Sequence, residues 1–184
     1  KVLKTGGLIY AAKNAGIKVT SLEVTGCFFD EVGSKDFIDF RDGSSLTAVK
    51  VVNNTFANGI RTFARIDAAV ADLGSVVVRN NTFYNNCYVD NKDNNGIFHV
   101  RCTALAEANF KVQNNIFASM HKLEGAPTDA NKNGFPKLVS KASSAIAIPE
   151  FRDNLYFDLE TVSPYSWWEY VTVEQGTANG GAVL

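Results

Sequence analysis

A short unit of apolar, polar and aromatic positions recurs along this chain. Val51-Val52-Asn53-Asn54-Thr55-Phe56, Val78-Arg79-Asn80-Asn81-Thr82-Phe83 and Val112-Gln113-Asn114-Asn115-Ile116-Phe117 carry it in full. Val24-Thr25-Gly26-Cys27-Phe28-Phe29 and Phe151-Arg152-Asp153-Asn154-Leu155-Tyr156 are variants of it. In each, an apolar residue lies five positions before an aromatic anchor, and Cys27, Asn54, Asn81, Asn115 or Asn154 lies two positions before it. The anchors are 27, 27, 34 and 39 residues apart. A second strand-like stretch follows each of the first three units: Ile38-Asp39-Phe40-Arg41, Thr62-Phe63-Ala64-Arg65 and Phe98-His99-Val100-Arg101, each closing on Arg.

Two short strands per period of about 27 residues, with turns between, predict a solenoid. The Leu signature of leucine-rich repeats is absent, helical repeats need a 3.6-residue period that these stretches lack, and propeller blades are longer than the first intervals. The expected fold is all-β, a right-handed parallel β-helix of about five to six coils with a C-terminal cap or flanking segment. Stacking then explains the Asn column. Equivalent residues of successive coils lie about 4.8 Å apart, so their amides can bond one another and the turn backbone. Asn also tolerates the left-handed backbone that a tight corner needs. The unit is therefore read as scaffold rather than as a glycosylation signal, although Asn53-Asn54-Thr55, just before Phe56, satisfies the Asn-x-Ser/Thr rule.

One domain is expected over residues 1–184, as a segment of a longer secreted protein, with its repeat core over 20–157. A polar loop spans 85–96, an insertion 121–149, and a cap or tail 158–184, where Trp167-Trp168 lies. Hydrophobic residues make up 46% of the chain, enough for a sizeable core, and the net charge is −1, which gives no support for nucleic-acid binding. Nothing resembles a signal peptide, and no apolar run is long enough for a transmembrane segment. Cys27, Cys87 and Cys102 have no zinc-type spacing and are read as three buried thiols.

Strand alternation puts Ile38 and Phe40 on one face, with Asp39 and Arg41 on the other. Aligning the three Arg-terminated stretches sends Phe63, Arg65, His99 and Arg101 outward as well. Arg41, Arg65 and Arg101 then form one column, Asp39, Phe63 and His99 the next, and Asp42 and Asp67 lie just beyond. One reading is ion pairing of the arginines with Asp39, Asp42 and Asp67. The other is a groove for an acidic polysaccharide or oligosaccharide, because Arg grips carboxylates and sulfates at two points and Phe63 offers a surface to a sugar ring. His99 beside Arg has its charged form disfavoured and is available as a base near neutral pH. His121 is the other histidine. The sequence has no Ser-His-Asp order, nucleophile elbow, P-loop or dinucleotide fingerprint. Asp90-Asn91-Lys92-Asp93-Asn94-Asn95 has oxygens for calcium but lacks the EF-hand pattern, and is read as a solvated turn.

The Val-x-Asn-Asn-x-Phe units at 51–56, 78–83 and 112–117, with the variant at 151–156, resemble the pectin-lyase-like superfamily of right-handed β-helices. The runs Cys27-Phe28-Phe29, Lys35 to Arg41 and Phe63 to Asp67 are similar to secreted bacterial β-helix domains of polysaccharide-degradation systems. The resemblance implies a secreted, cell-surface or periplasmic bacterial protein. It implies lyases and hydrolases of acidic polysaccharides, often with calcium, or non-catalytic binding and adhesive modules. Lyases of this kind use a Lys base and an Arg on neighbouring coils, and by position Lys35 with Arg41 or Arg65 would take those parts. The paired Asp residues of the inverting hydrolases are not reproduced; Asp39 and Asp67 come nearest.

Three functions follow as expectations. The first is a carbohydrate-binding module for an acidic polysaccharide, without a required cofactor, using Arg65, Arg101, Phe63, Asp39 and Asp67. The second is a lyase in which Arg neutralises a uronate carboxylate while Lys35 or His99 takes the C5 proton. The third is a structural or adhesive module. Oligomeric state stays open.

Overall fold

A computed structural model describes residues 9–11, 16–30, 37–40, 45–59, 63–66, 74–85, 98–100, 109–120, 139–141, 150–159, 169–171 and 182–183. These residues are almost all strand, and no α-helix occurs among them. The strands form three sheets. Sheet A contains β1 (Ile9–Ala11), β4 (Ile38–Phe40), β7 (Ala64–Ile66), β10 (Phe98–Val100), β13 (Val139–Lys141) and β16 (Glu169–Val171). Sheet B contains β2 (Lys18–Thr25), β5 (Ser45–Val52), β8 (Ser75–Arg79), β11 (Phe110–Gln113) and β14 (Glu150–Arg152). Sheet C contains β3 (Phe28–Asp30), β6 (Thr55–Ala57), β9 (Thr82–Tyr84), β12 (Ile116–Met120), β15 (Leu155–Leu159) and β17 (Ala182–Val183). From β1 to β15 the chain visits A, B and C in strict rotation. Every pairing is parallel except that of β16 with β13.

The repeating unit straddles two strands in different sheets. Val51 and Val52 end β5, Thr55 begins β6, and Asn53 between them turns the chain in the left-handed region with φ 58°. Asn80, Asn114 and Asp153 do the same at φ 58°, 53° and 55°, and Gly26 takes this position at φ 65°. Only Gly, Asn and Asp adopt such a backbone cheaply, which accounts for the residue types at this position. Each period therefore holds three strands rather than the two expected.

The apolar and aromatic ends of the unit meet their counterparts in register. Val24, Val51, Val78, Val112 and Phe151 align in sheet B and are all buried. Phe29, Phe56, Phe83, Phe117 and Tyr156 align in sheet C and are also buried. Their rings stack nearly parallel, with centroids 5.1, 5.2, 5.1 and 5.6 Å apart. Phe63 joins this stack from the start of β7, 4.5 Å from Phe56, and Phe151 approaches Phe117 from sheet B at 6.5 Å. Side chains of the three sheets thus share one core.

At the corner between sheets B and C the amides form a continuous column. Asn54 donates through Nδ2 to Asn81 Oδ1 at 3.0 Å, Asn81 to Asn115 at 3.0 Å, and Asn115 to Asn154 at 3.1 Å. The Oδ1 atoms of Asn54, Asn81, Asn115 and Asn154 accept, in turn, the backbone N–H of Cys27, Asn54, Asn81 and Asn115. Each Nδ2 also donates to a valine carbonyl of the preceding repeat: Val24, Val51, Val78 or Val112. All four side chains are buried. Burying an amide is unfavourable unless its donors and acceptors are met, and here the next Asn meets them. Cys27 stands in this column as an exposed residue outside any disulfide, contrary to the expected buried thiol. Cys87 and Cys102 lie outside the described residues.

A second corner column follows sheet C. Asn58, Asn85 and Ser119 all have positive φ. Asn58 donates to Asp30 and Asn85 to Asn58, each at 2.9 Å. Toward the C-terminus, β13 adds a sheet A strand within the expected insertion 121–149, and β16 and β17 extend the edges of sheets A and C.

Candidate functional site

Sheet A carries the stretches in which a ligand face was expected, and its register differs from the expected columns. Asp39 pairs with Arg65, Arg65 with His99, and His99 with Ser140. Arg65 is therefore level with Asp39 and His99, two residues away from the alignment by terminal arginines. The cause is Phe63. Matching the stretches by their arginines sets Phe63 beside Asp39. In the structure it stacks on Phe37 at 5.2 Å, and Ile38 N donates to Phe63 O at 2.8 Å. Burying an aromatic ring contributes more than a row of like charges, which repel when directly opposed on adjacent strands. Asp39 and Arg65, of opposite charge, now stand next to each other in one column.

Burial changes two further expectations. Phe63 is 4% exposed and belongs to the core, so it offers no stacking surface to a sugar. Ile38, Asp39 and Phe40 are 1%, 1% and 0% exposed, so neither face of β4 is an open groove, and Asp39 does not line one. Its register neighbour on the next strand is Arg65, a basic residue that is partly buried. His99 enters the column through the backbone of β10. Lys35, Arg41, Arg101, Asp67, Asp42, His121 and the cluster 90–95 lie outside the described residues. Among the described residues, no group of three or more His, Cys, Asp and Glu side chains comes together to hold a metal ion, calcium included.

The outer faces of sheets B and C are described over much of their extent. On sheet B, Glu23, Lys50, Val77, Lys111 and Glu150 form one column, and Thr25, Val52, Arg79, Gln113 and Arg152 the other. Two pairs of its charges meet within the face: Lys50 meets Glu23 at 2.8 Å and Arg152 meets Glu150 at 2.9 Å. Sheet C is different. Its outer columns read Phe28, Thr55, Thr82, Ile116, Leu155 and Asp30, Ala57, Tyr84, Ala118, Phe157. Phe28, Tyr84, Ile116 and Phe157 are 58%, 46%, 39% and 49% exposed. Among these ten residues Asp30 alone is charged. Sequence reasoning missed this surface because it treated the aromatic anchor as the end of a strand. The signal was the residue beside each anchor: Phe28, Tyr84, Ile116 and Phe157 all flank a buried ring.

Among the described residues, the buried phenol of Tyr156 is no candidate acid at neutral pH. Burial pushes Tyr156 up to about 12, an effect that its interaction with Asn154 partly offsets. Comparison with protein-family models, with curated proteins and with solved structures gives no match. No helix among the described residues is long and apolar enough to cross a membrane.

Proposed function

We propose that the chain is a right-handed parallel β-helix of the pectin-lyase-like kind, secreted by a bacterium, that binds an acidic polysaccharide along sheet A. The strict rotation of strands among three parallel sheets supports the fold. Its hand follows from the strong preference of parallel crossovers for right-handedness. The observation that supports the ligand assignment is the register Asp39–Arg65–His99–Ser140, which sets an Arg, a His and a Ser level with one another on adjacent strands. Adjacent strands are about 4.8 Å apart, close to the size of a sugar ring. Arg65 is the group for a uronate carboxylate, while Asp39, buried on the neighbouring strand, does not touch ligand. Affinity electrophoresis in polygalacturonate, alginate and chondroitin sulfate tests the reading. Arg65→Ala is expected to weaken binding about tenfold, the worth of one well-aligned charge-assisted contact. Equal retardation of both proteins, or none of the wild type, removes it.

A lyase is the second reading, and the pairing of Arg65 with His99 favours it. Arg65 would neutralise the uronate carboxylate and so acidify the C5 proton. His99 would take that proton while the C4–O bonding pair leaves with O4, which water protonates, so that a C4–C5 double bond and a free hydroxyl on the departing sugar result. Ultraviolet absorbance of the unsaturated product, assayed with and without calcium, checks it. No rise with any uronate polymer rules it out.

A further inference from the structure

We infer that the outer face of sheet C is a second carbohydrate surface, for an extended, uncharged β-1,4-linked glycan lying along the direction in which the strands stack. This face is separate from sheet A and does not depend on the reading given there. Tyr84 and Phe157 stand in one column, two strands apart, with Ala118 between them. Two strand spacings are about 10 Å, close to the length of one disaccharide in such a chain, so rings at this interval meet every second sugar on the same side. Ala57 and Ala118 alternate with the rings, and their small side chains leave room for each ring to lie across the sheet.

Charge selects the class of partner. The ten outward residues named above hold a single charge, at Asp30 on the first strand, so the face has no attraction for a polyanion. Sheet B, with its lysines, arginines and glutamates, is the opposite case. Chemistry narrows it further. The hydroxyls of Thr55, Thr82 and Tyr84 are interleaved with Ile116 and Phe157. A flat apolar partner, such as a second copy of this face, would bury those hydroxyls at a cost. A sugar ring presents C–H groups to an aromatic face and hydroxyls around its rim, and so satisfies both. An exposed apolar patch of this kind marks a binding surface more often than it occurs idly.

The test is affinity electrophoresis of the whole chain in hydroxyethylcellulose, xylan and glucomannan gels, with titration calorimetry on cellohexaose, xylohexaose and mannohexaose. At least one neutral glycan is expected to bind. Tyr84→Ala and Phe157→Ala should each weaken it about fivefold, and together abolish it. Tyr84→Trp should retain it, and Arg65→Ala should leave it unchanged. Unaltered melting of the variants shows that the fold is kept. The proposal is overturned if no neutral glycan binds the wild type, or if the double variant binds as the wild type does. It is equally overturned if sedimentation shows a dimer that the double variant dissolves, since the face would then hold a second copy. Binding to polygalacturonate that is lost in Arg65→Ala and kept in the double variant reports on sheet A alone.

Discussion

The inner and outer columns of sheet C put the same kind of side chain to opposite uses. Phe28-Phe29, Phe83-Tyr84 and Tyr156-Phe157 are aromatic doublets, and in each one ring is buried and its neighbour is exposed. Phe83 is fully buried between Phe56 and Phe117, whereas Tyr84 is 46% exposed. Strand alternation alone separates them. The inner ring is surrounded by other rings and its energy goes into folding. The outer ring has nearly half its surface in water, and that surface is what the proposed glycan would cover. Aromatic residues adjacent in sequence thus divide the work of this sheet.

The largest expected effect on the inner side is Phe83→Ala. It leaves a void in the middle of the ring stack and should cost about 3 to 5 kcal/mol of stability. Chemical denaturation measures this as a fall in midpoint. Next comes Asn81→Ala, which removes the acceptor for Asn54 N and Nδ2 and the donor to Val51 O and Asn115 Oδ1. At about 1 kcal/mol for each of the four bonds lost, a loss of about 4 kcal/mol is expected. A loss under about 1 kcal/mol would show that the column is decorative, since burial without partners always costs more.

Tyr156 sharpens the comparison through pH. Its phenol is raised from 10.0 to about 12. Below pH 10 both folded and unfolded chains keep the proton, and the stability it confers is fully present. Above pH 10 the unfolded chain releases it first, so stability falls until about pH 12. Tyr156→Phe should remove about 2 to 3 kcal/mol of that alkaline loss and leave stability near neutral pH little changed. Unfolding free energies of the two proteins at about pH 9 and about pH 11.5 give the difference directly. On sheet B, Lys50→Ala loses an ion pair with both side chains about half exposed. A change of about 0 to 1 kcal/mol is expected, shrinking further in high salt.

Much of this arrangement was readable before any coordinates. The spacing of Phe29, Phe56, Phe83, Phe117 and Tyr156 gave the register of sheet C, because a ring on the inside has to meet its counterpart one repeat away. The Asn column was readable for the same reason. Sheet A was not. Its strands are three residues long, and three residues carry too little alternation to set a register. Aligning them by Arg41, Arg65 and Arg101 followed the most conspicuous letter, whereas the register follows Phe63, which the core claims. The outer rings were overlooked because Tyr84 and Phe157 look like part of the anchor. Only the division of the unit into two strands, with the left-handed corner at Asn80 and Asp153, shows which face each takes.

The division of labour within sheet C is tested most directly by one pair of variants, Phe83→Ala and Tyr84→Ala, unfolded side by side in urea. Phe83→Ala is expected to lose about 3 kcal/mol or more with an unchanged slope, and Tyr84→Ala to stay within about 0.5 kcal/mol of the wild type. Equal losses, or a larger loss at Tyr84, would contradict the account.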